Sequence, residues 1–222
     1  MDKNSKLVYG MIVLMLVFVT ACAQMPKIVE LHDPLSPKEH FQLALAYELK
    51  TEYDLALREY EEVIRKKMFL GESYTNMANI FFHQGKYDIS ESYYLKSIHA
   101  NPLYGRAYNN LAWLYINQNK PLPQAEHLLL QAIEKDPENS PSYLDTLASV
   151  YEKEGKWAQS LETLKKVESS GLAGNRMVEI EYLKHLEKIL LILDRKSEAD
   201  QVHKKITTLD GHSPEETFSD VP

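Results

Sequence analysis

A segment of 34 residues that recurs along the chain is the feature that most limits how this sequence can fold. In residues 71–104, apolar side chains recur every three or four positions in two runs, which predicts two amphipathic helices. Gly85 separates the runs and suits the left-handed end of the first helix. Pro102 ends the second helix, because a proline cannot continue one. Small residues are expected where the two helices cross closely: Ala78, Ser90 and Ser97.

The same pattern returns upstream and downstream, and it resembles the tetratricopeptide repeat, a helix–turn–helix unit of this length. Tyr74, Phe81, Tyr87 and Tyr94 stand at landmark positions of that family. The resemblance implies an all-α solenoid of about four to five repeats, in which a degenerate C-terminal pair of helices caps the stack. The predicted repeat domain covers residues 37–209, with repeats near 37–70, 71–104, 105–139, 140–172 and 176–209.

Helix starts and turns are also readable from the sequence. Ser36-Pro37 predicts a helix start, with the serine as N-cap and the proline in the first turn. Ser140-Pro141 predicts the same device in the fourth repeat. Thr51 occupies the turn position of repeat one, where the family usually has glycine.

The N-terminal segment predicts export. Lys3 and Lys6 precede an apolar run over residues 7–19, and small residues follow it. This order is typical of a secretory signal, here residues 1–21. The run is short for a membrane-spanning helix, which needs about 20 residues.

The sole cysteine, Cys22, ends the sequence Val19-Thr20-Ala21-Cys22, which resembles a bacterial lipobox. The resemblance implies lipidation of Cys22 by palmitate or a similar acyl chain and a membrane anchor. Because Ala23 follows and no aspartate does, it also implies the outer membrane, with the protein facing the periplasm. An ordinary cleaved signal and an uncleaved anchor helix remain alternatives. Residues 22–36 are predicted to be an extended tether, and residues 210–222 a disordered tail.

Composition disfavours several functions. The formal net charge of −7 argues against a nucleic-acid partner. One cysteine permits no internal disulfide, and the eight histidines show no zinc-motif spacing, so no metal site is predicted. The sequence contains no glycine-rich phosphate loop. We therefore expect no cofactor, no catalytic residues and a protein that is not an enzyme.

The resemblance places a partner-binding groove on the first helices of the repeats. In the family, positions two, five, six, nine, twelve and thirteen of a repeat usually face this groove. Asparagines there can bond a peptide backbone, and aromatic rings supply contact area. Phe82 and Trp113 could equally pack against neighbouring helices. The predicted groove comprises Asn79, Phe82, His83, Arg106, Asn109, Asn110 and Trp113, and the same rule adds Thr75 and Ile116.

The expected function is that of a non-catalytic, membrane-anchored scaffold that binds a protein or peptide in the cell envelope. Related lipoproteins assist the assembly of pili, secretion channels or outer-membrane machinery. The alternative is an accessory or regulatory subunit of an envelope enzyme, such as a peptidase or cell-wall hydrolase. Residues 31–40 and the repeat after them resemble the repeat tail of some cysteine peptidases of the C39-like type.

Overall fold

Helices account for all the regular secondary structure in the part of the chain that the structure describes, which is Asp2, residues 33–170 and residues 176–211. The structure is a computed structural model. Ten α-helices and no strand occur among these residues, which confirms the predicted all-α repeat fold. The helices are α1 (Pro37–Leu49), α2 (Tyr53–Arg65), α3 (Leu70–His83), α4 (Tyr87–Ala100), α5 (Gly105–Asn117), α6 (Leu122–Lys135), α7 (Ser140–Lys153), α8 (Trp157–Ser170), α9 (Arg176–Ile192) and α10 (Lys196–Asp210).

The chain divides into two units, residues 1–35 and residues 36–222, and the helices belong to the second. The helices form five hairpins, α1–α2, α3–α4, α5–α6, α7–α8 and α9–α10, and each hairpin packs on the next. The first helices of neighbouring hairpins also touch, α3 against α5 and α5 against α7. We call the surface formed by α3, α5, α7 and α9 the inner face.

Each hairpin turn contains one residue in the left-handed backbone region. Gly85 and Gly155 adopt φ values of 72°, as their lack of a side chain allows. The other three turns place a residue with a side chain in this region: Thr51, Asn119 and Asp194, with φ of 60°, 51° and 56°. The turn geometry is therefore set by the hairpin, since three residues adopt it at a local cost of about 1–2 kcal/mol.

The start of α1 agrees with the sequence. The Ser36 hydroxyl accepts from the Glu39 amide at 3.3 Å, and the Glu39 carboxylate accepts from the Ser36 amide at 2.7 Å. The prediction that Ser140 caps α7 in the same way is wrong. A 3₁₀ turn, Pro137–Asn139, runs directly into α7, so Asn139 occupies the cap position and Ser140 is already helical.

Small side chains lie at the helix crossings, as the repeat pattern predicted. Ala44, Ala78, Ala112 and Ala148 occur once in each of the first four hairpins and have no exposed surface. Hydroxyl groups at such crossings bond backbone carbonyls of the partner helix. Ser90 Oγ donates to Ala78 O at 2.8 Å, and Ser97 Oγ donates to Gly71 O at 2.7 Å. Four clusters of buried side chains result, and the residues that form them lie within residues 36–211, so this unit has a core of its own.

Tyrosine–glutamate hydrogen bonds join two pairs of neighbouring hairpins. Tyr115 Oη donates to Glu91 Oε1 at 2.7 Å, and Tyr151 Oη donates to Glu126 Oε1 at 2.7 Å. Burial raises the pKa of Tyr115 to about 12, and the bond to Glu91 adds to the effect. One repeat earlier the corresponding residues, Phe81 and Leu57, pack against a shared apolar cluster. The contacts between hairpins thus differ in chemistry while they keep the same position in the repeat.

Among the described residues, no helix is both long and apolar enough to cross a membrane. The predicted signal of residues 1–21 and Cys22 lie outside the described residues, apart from Asp2. Most of the predicted tether and residues 212–222 of the predicted tail lie outside them as well.

Candidate partner-binding face

Buried tyrosines of the second helices support polar side chains of the inner face. Tyr60 of α2 has no exposed surface, and its hydroxyl donates to Glu48 Oε2 at 2.8 Å. Asn76 of α3 donates to the same hydroxyl at 2.9 Å. Burial raises the pKa of Glu48, against the opposing effect of the Tyr60 bond. The first and second hairpins are thereby linked through one buried hydroxyl group.

The next repeat holds a related network 34 residues further on. Tyr94 Oη donates to Asn79 Oδ1 at 2.7 Å, and Asn110 Nδ2 donates to the same oxygen at 3.0 Å. Asn109 Nδ2 in turn donates to Asn110 Oδ1 at 3.2 Å. Because Tyr94 is only 2% exposed, loss of the Asn79 oxygen would remove the acceptor of a nearly buried hydroxyl. Asn79 therefore supports the fold as well as the surface.

Trp113 stands between two cavities of the inner face. The smaller cavity, about 280 Å³, is lined by Trp113 and by Asn79, Phe82, His83, Tyr94 and Asn110. The Trp113 side chain is 40% exposed, so it is a surface group rather than a core group. Phe82 is half-buried: it packs against the cluster around Tyr94 and Leu111 and also lines this cavity. Of the two interpretations left open by the sequence, the surface one fits Trp113, whereas Phe82 both packs against a helix and lines the cavity.

The larger cavity, about 420 Å³, lies on the other side of Trp113, toward the C-terminal hairpins. It is formed by α5, α7, α8 and α9 together. Its lining consists of Asn109, Trp113, Pro141, Ser142, Asp145, Thr146, Val167, Met177, Val178, Glu181 and Tyr182.

The seven predicted groove residues do not all meet at one place. Five of them surround the smaller cavity, and Asn109 lines only the larger one. Arg106 lines neither cavity and instead lies close enough to Tyr104 to lower that hydroxyl's pKa, although burial raises it overall. Thr75 and Ile116, assigned by the same positional rule, are 1% and 2% exposed and belong to the interior.

Several residues of the larger cavity were missed by the sequence analysis. Met177 and Glu181 hold positions two and six of the last repeat, if its frame begins at Arg176. The positional rule that selected the groove residues of repeats two and three would have found both. The last repeat fits the family pattern too weakly for the sequence alone to fix this frame.

A histidine clasp fastens α9 to α7 beside this cavity. His185 Nδ1 lies 2.7 Å from Asp145 Oδ1, and its Nε2 bonds Glu152. Lys188 Nζ donates to the second oxygen of Glu152 at 2.6 Å. Burial acts to lower the pKa of His185, but the hydrogen bonds to Asp145 and Glu152 outweigh it, so the pKa is raised.

The clasp predicts that stability depends on pH. Its contribution is complete below the ordinary histidine pKa of about 6.5 and is lost as the pH rises through the raised pKa of the folded protein. We expect the melting temperature of the wild type to fall, relative to that of His185→Gln, between pH 6 and pH 8. Melting curves of both proteins across this range provide the measurement. Parallel pH profiles would contradict the clasp.

A further groove, about 830 Å³, lies away from the inner face, between the start of α3 and one side of α4. Its lining comes from a single hairpin and includes Tyr74, Asp88, Leu95, Lys96 and His99. The inner-face cavities differ in that they combine side chains from two or more hairpins. Such composite sites are typical of binding surfaces in stacked repeats.

Comparison with family models identifies the repeat in the middle of the chain. A model described as tetratricopeptide repeat matches residues 71–102, and a second model with that description matches residues 93–126. No curated protein sequence matches the chain.

Solved structures share the fold at low identity. PilF of Pseudomonas aeruginosa is 17% identical, with a TM-score of 0.62 over 82% of this chain and 79% of that one. MamA of Desulfovibrio magneticus RS-1 is 16% identical, with a TM-score of 0.61 over 80% of this chain and 97% of that one. The C-terminal part of a repeat-containing protein from Cytophaga hutchinsonii is 15% identical, with a TM-score of 0.58 over 82% and 72%. These similarities concern the fold.

Proposed function

Because the chain is a tetratricopeptide repeat protein, we propose that it is a non-catalytic scaffold of the cell envelope whose inner face binds a segment of a partner protein. Repeats of this family typically mediate protein–protein interaction. The observation that supports this site is the position of Trp113. This residue is 40% exposed and lines both inner-face cavities. Partly exposed tryptophans in concave sites are frequent anchors of binding energy.

The envelope location rests on the lipobox-like sequence that ends at Cys22. In this proposal, acyl chains on Cys22 hold the protein at the outer membrane, and the repeats face the periplasm. The processes that such a scaffold would serve are the assembly of pili, of secretion channels or of outer-membrane machinery.

Labelling with palmitate tests the anchor. Wild-type cells should incorporate the label into this protein, and Cys22→Ser should abolish incorporation, because no other cysteine is present. Label retained by the Cys22→Ser protein would contradict the anchor.

Crosslinking from the inner face, followed by substitution of Trp113, tests the proposed binding face. A photo-crosslinking amino acid placed at His83, which lines the smaller cavity, should capture the partner in intact cells. The same probe at Leu130, which is 50% exposed on α6, should not capture it. Trp113→Ala should then weaken binding of the purified partner about 30-fold, as expected for an anchor worth about 2 kcal/mol.

Leu130→Ala serves as the control in that binding experiment, because this side chain is at least as exposed as Trp113. Melting curves establish that both variants are folded. Unchanged affinity of a folded Trp113→Ala protein would place the binding site on another surface.

A further inference from the structure

The larger cavity beside Trp113 has an apolar floor and an exposed apolar rim. Val167 at 1% exposure belongs to the interior, while Val178 and Met177 are 51% and 69% exposed. Trp113 and Pro141 complete the apolar wall. Its volume, about 420 Å³, lies within the range of roughly 300–1,000 Å³ that is usual for ligand pockets. Clustered exposed apolar groups of this kind mark interaction sites.

The charged groups of the lining have one sign. Asp145 and Glu181 are carboxylates, and no lysine, arginine or histidine is among the residues described as lining the cavity. Among the described residues, Glu181 pairs with Lys184 of the same helix, at 2.8 Å, and the two side chains are 67% and 52% exposed. Ion pairs this exposed contribute little and exchange partners easily. Asp145 bonds His185, but its side chain remains 42% exposed.

The cavity lining also contains a hydrogen-bond acceptor that has no donor among the described residues. Asn109 Oδ1 is buried and has no hydrogen-bond partner among the described residues, while the amide nitrogen of this side chain donates to Asn110. A buried carbonyl oxygen without a donor is uncommon in folded proteins. An N–H group of a bound segment reaches this oxygen once the Asn109 side chain turns toward the cavity.

We propose that this cavity receives a large apolar side chain from a partner segment that carries lysine or arginine residues beside it. The apolar side chain packs against Trp113, Val178 and Met177. The cation lies at the rim near Asp145 and Glu181, and the Asn109 side chain turns so that its Oδ1 accepts from a backbone N–H of the segment. This inference rests on the proposed function, because it assigns the chemistry of the segment that the inner face binds.

Fluorescence of Trp113 reports occupancy directly. The chain has two tryptophans, Trp113 and Trp157, so Trp157→Phe leaves Trp113 as the single emitter. The test uses residues 36–222, the unit that contains all the described core clusters. Three acetylated and amidated peptides serve as probes: GSKLFKLKSG is basic and apolar, GSELFELESG is acidic and apolar, and GSKSSKSKSG is basic without apolar groups.

The basic, apolar peptide should change Trp113 emission in a saturable way and bind at least about tenfold more tightly than either other peptide, since both its apolar and its charged groups find complements. Its affinity should fall as salt is added. Equal or tighter binding of the acidic peptide would overturn the charge assignment. Equal binding of the peptide without apolar groups would overturn the apolar one.

Matched variants locate the effect. Glu181→Gln should weaken the basic, apolar peptide severalfold, whereas Glu162→Gln should not. Glu162 is the fitting control, because it is 69% exposed and pairs with Lys165 three residues on, just as Glu181 pairs with Lys184. Met177→Ala should weaken binding, whereas Met68→Ala, at another exposed methionine, should not. Equal effects of cavity and control variants would overturn the proposed site.

Different results would overturn the proposed binding face and the proposed chemistry of the bound segment. If only the acidic peptide changes Trp113 emission, the inference on chemistry is wrong and the inner face remains a binding surface. If no peptide changes it, while the purified partner binds the Trp113→Ala protein unchanged, both proposals are overturned.

Discussion

Replacing Ala112 by arginine should unfold the middle of the solenoid. Ala112 has no exposed surface and packs among Tyr108, Leu129 and Tyr143 at a helix crossing. An arginine there must either bury an unpaired charge or force α5 away from its neighbours. We expect a loss on the order of 4 kcal/mol or more, which is a large part of the 5–15 kcal/mol typical of a folded domain. Urea denaturation followed by far-ultraviolet circular dichroism measures it.

Arginine at Asn117 is the control, since this residue is exposed on the same helix. It should change stability by about 0.5 kcal/mol or less. Each hairpin contacts mainly its neighbours, so hydrogen exchange in the Ala112→Arg protein should accelerate more in α5–α8 than in α1–α2. Uniform acceleration over all helices, or a stability loss no larger than that of Asn117→Arg, would contradict this account.

Replacing Gly105 by alanine should also destabilise the protein markedly, although alanine is the better helix former by about 1 kcal/mol. Gly105 begins α5 and is buried. A Cβ atom there would lie 2.6 Å from the Cβ of Asp136 and 2.8 Å from the ring of Tyr143. Neither neighbour can turn aside freely, because Tyr143 Oη donates to Asp136 Oδ2 at 2.6 Å. Relief therefore requires a backbone shift between hairpins, and we expect a loss of about 2 kcal/mol.

Gly71 offers an internal comparison for that prediction. It occupies the same position one repeat earlier, and a Cβ there would meet a single atom closer than 3 Å, the Cβ of Asn101 at 2.8 Å. Gly71→Ala should therefore cost less than Gly105→Ala in the same urea titration. A Gly105→Ala protein more stable than the wild type would show that these hairpins separate easily.

Helix order and turns could be predicted because each depends on neighbours in sequence. The cap at Ser36 needs Glu39 three residues on, and the turn at Gly85 needs a left-handed residue between two apolar runs. Ser140 shows the limit of such local rules. Its Ser-Pro pair matches Ser36-Pro37, but the preceding Pro137–Asn139 turn is itself helical, so the helix is capped earlier.

The candidate site was harder to predict from the sequence, since the exposure of a side chain depends on how neighbouring hairpins cross. Position five is interior at Thr75 but lines a cavity at Asn109. Position nine is exposed at Trp113, whereas Asn79 at the same position accepts two hydrogen bonds within the fold. No periodicity distinguishes these cases, because the deciding partners, such as Tyr94, belong to other helices.

The contacts between hairpins distinguish the two edges of the repeat formed by residues 71–104, because one edge is apolar and the other carries a tyrosine–glutamate bond. Tyr115 requires a carboxylate in the hairpin before it and finds Glu91, whereas Phe81 requires an apolar neighbour and shares its cluster with Leu57. If residues 71–104 were deleted, Tyr115 would face Leu57 and lose its acceptor. If they were duplicated in tandem, Phe81 of the second copy would face the Glu91 carboxylate of the first. The position of residues 71–104 in the stack is thus specified by residue pairs at its two junctions, and moving this repeat would leave those pairs mismatched.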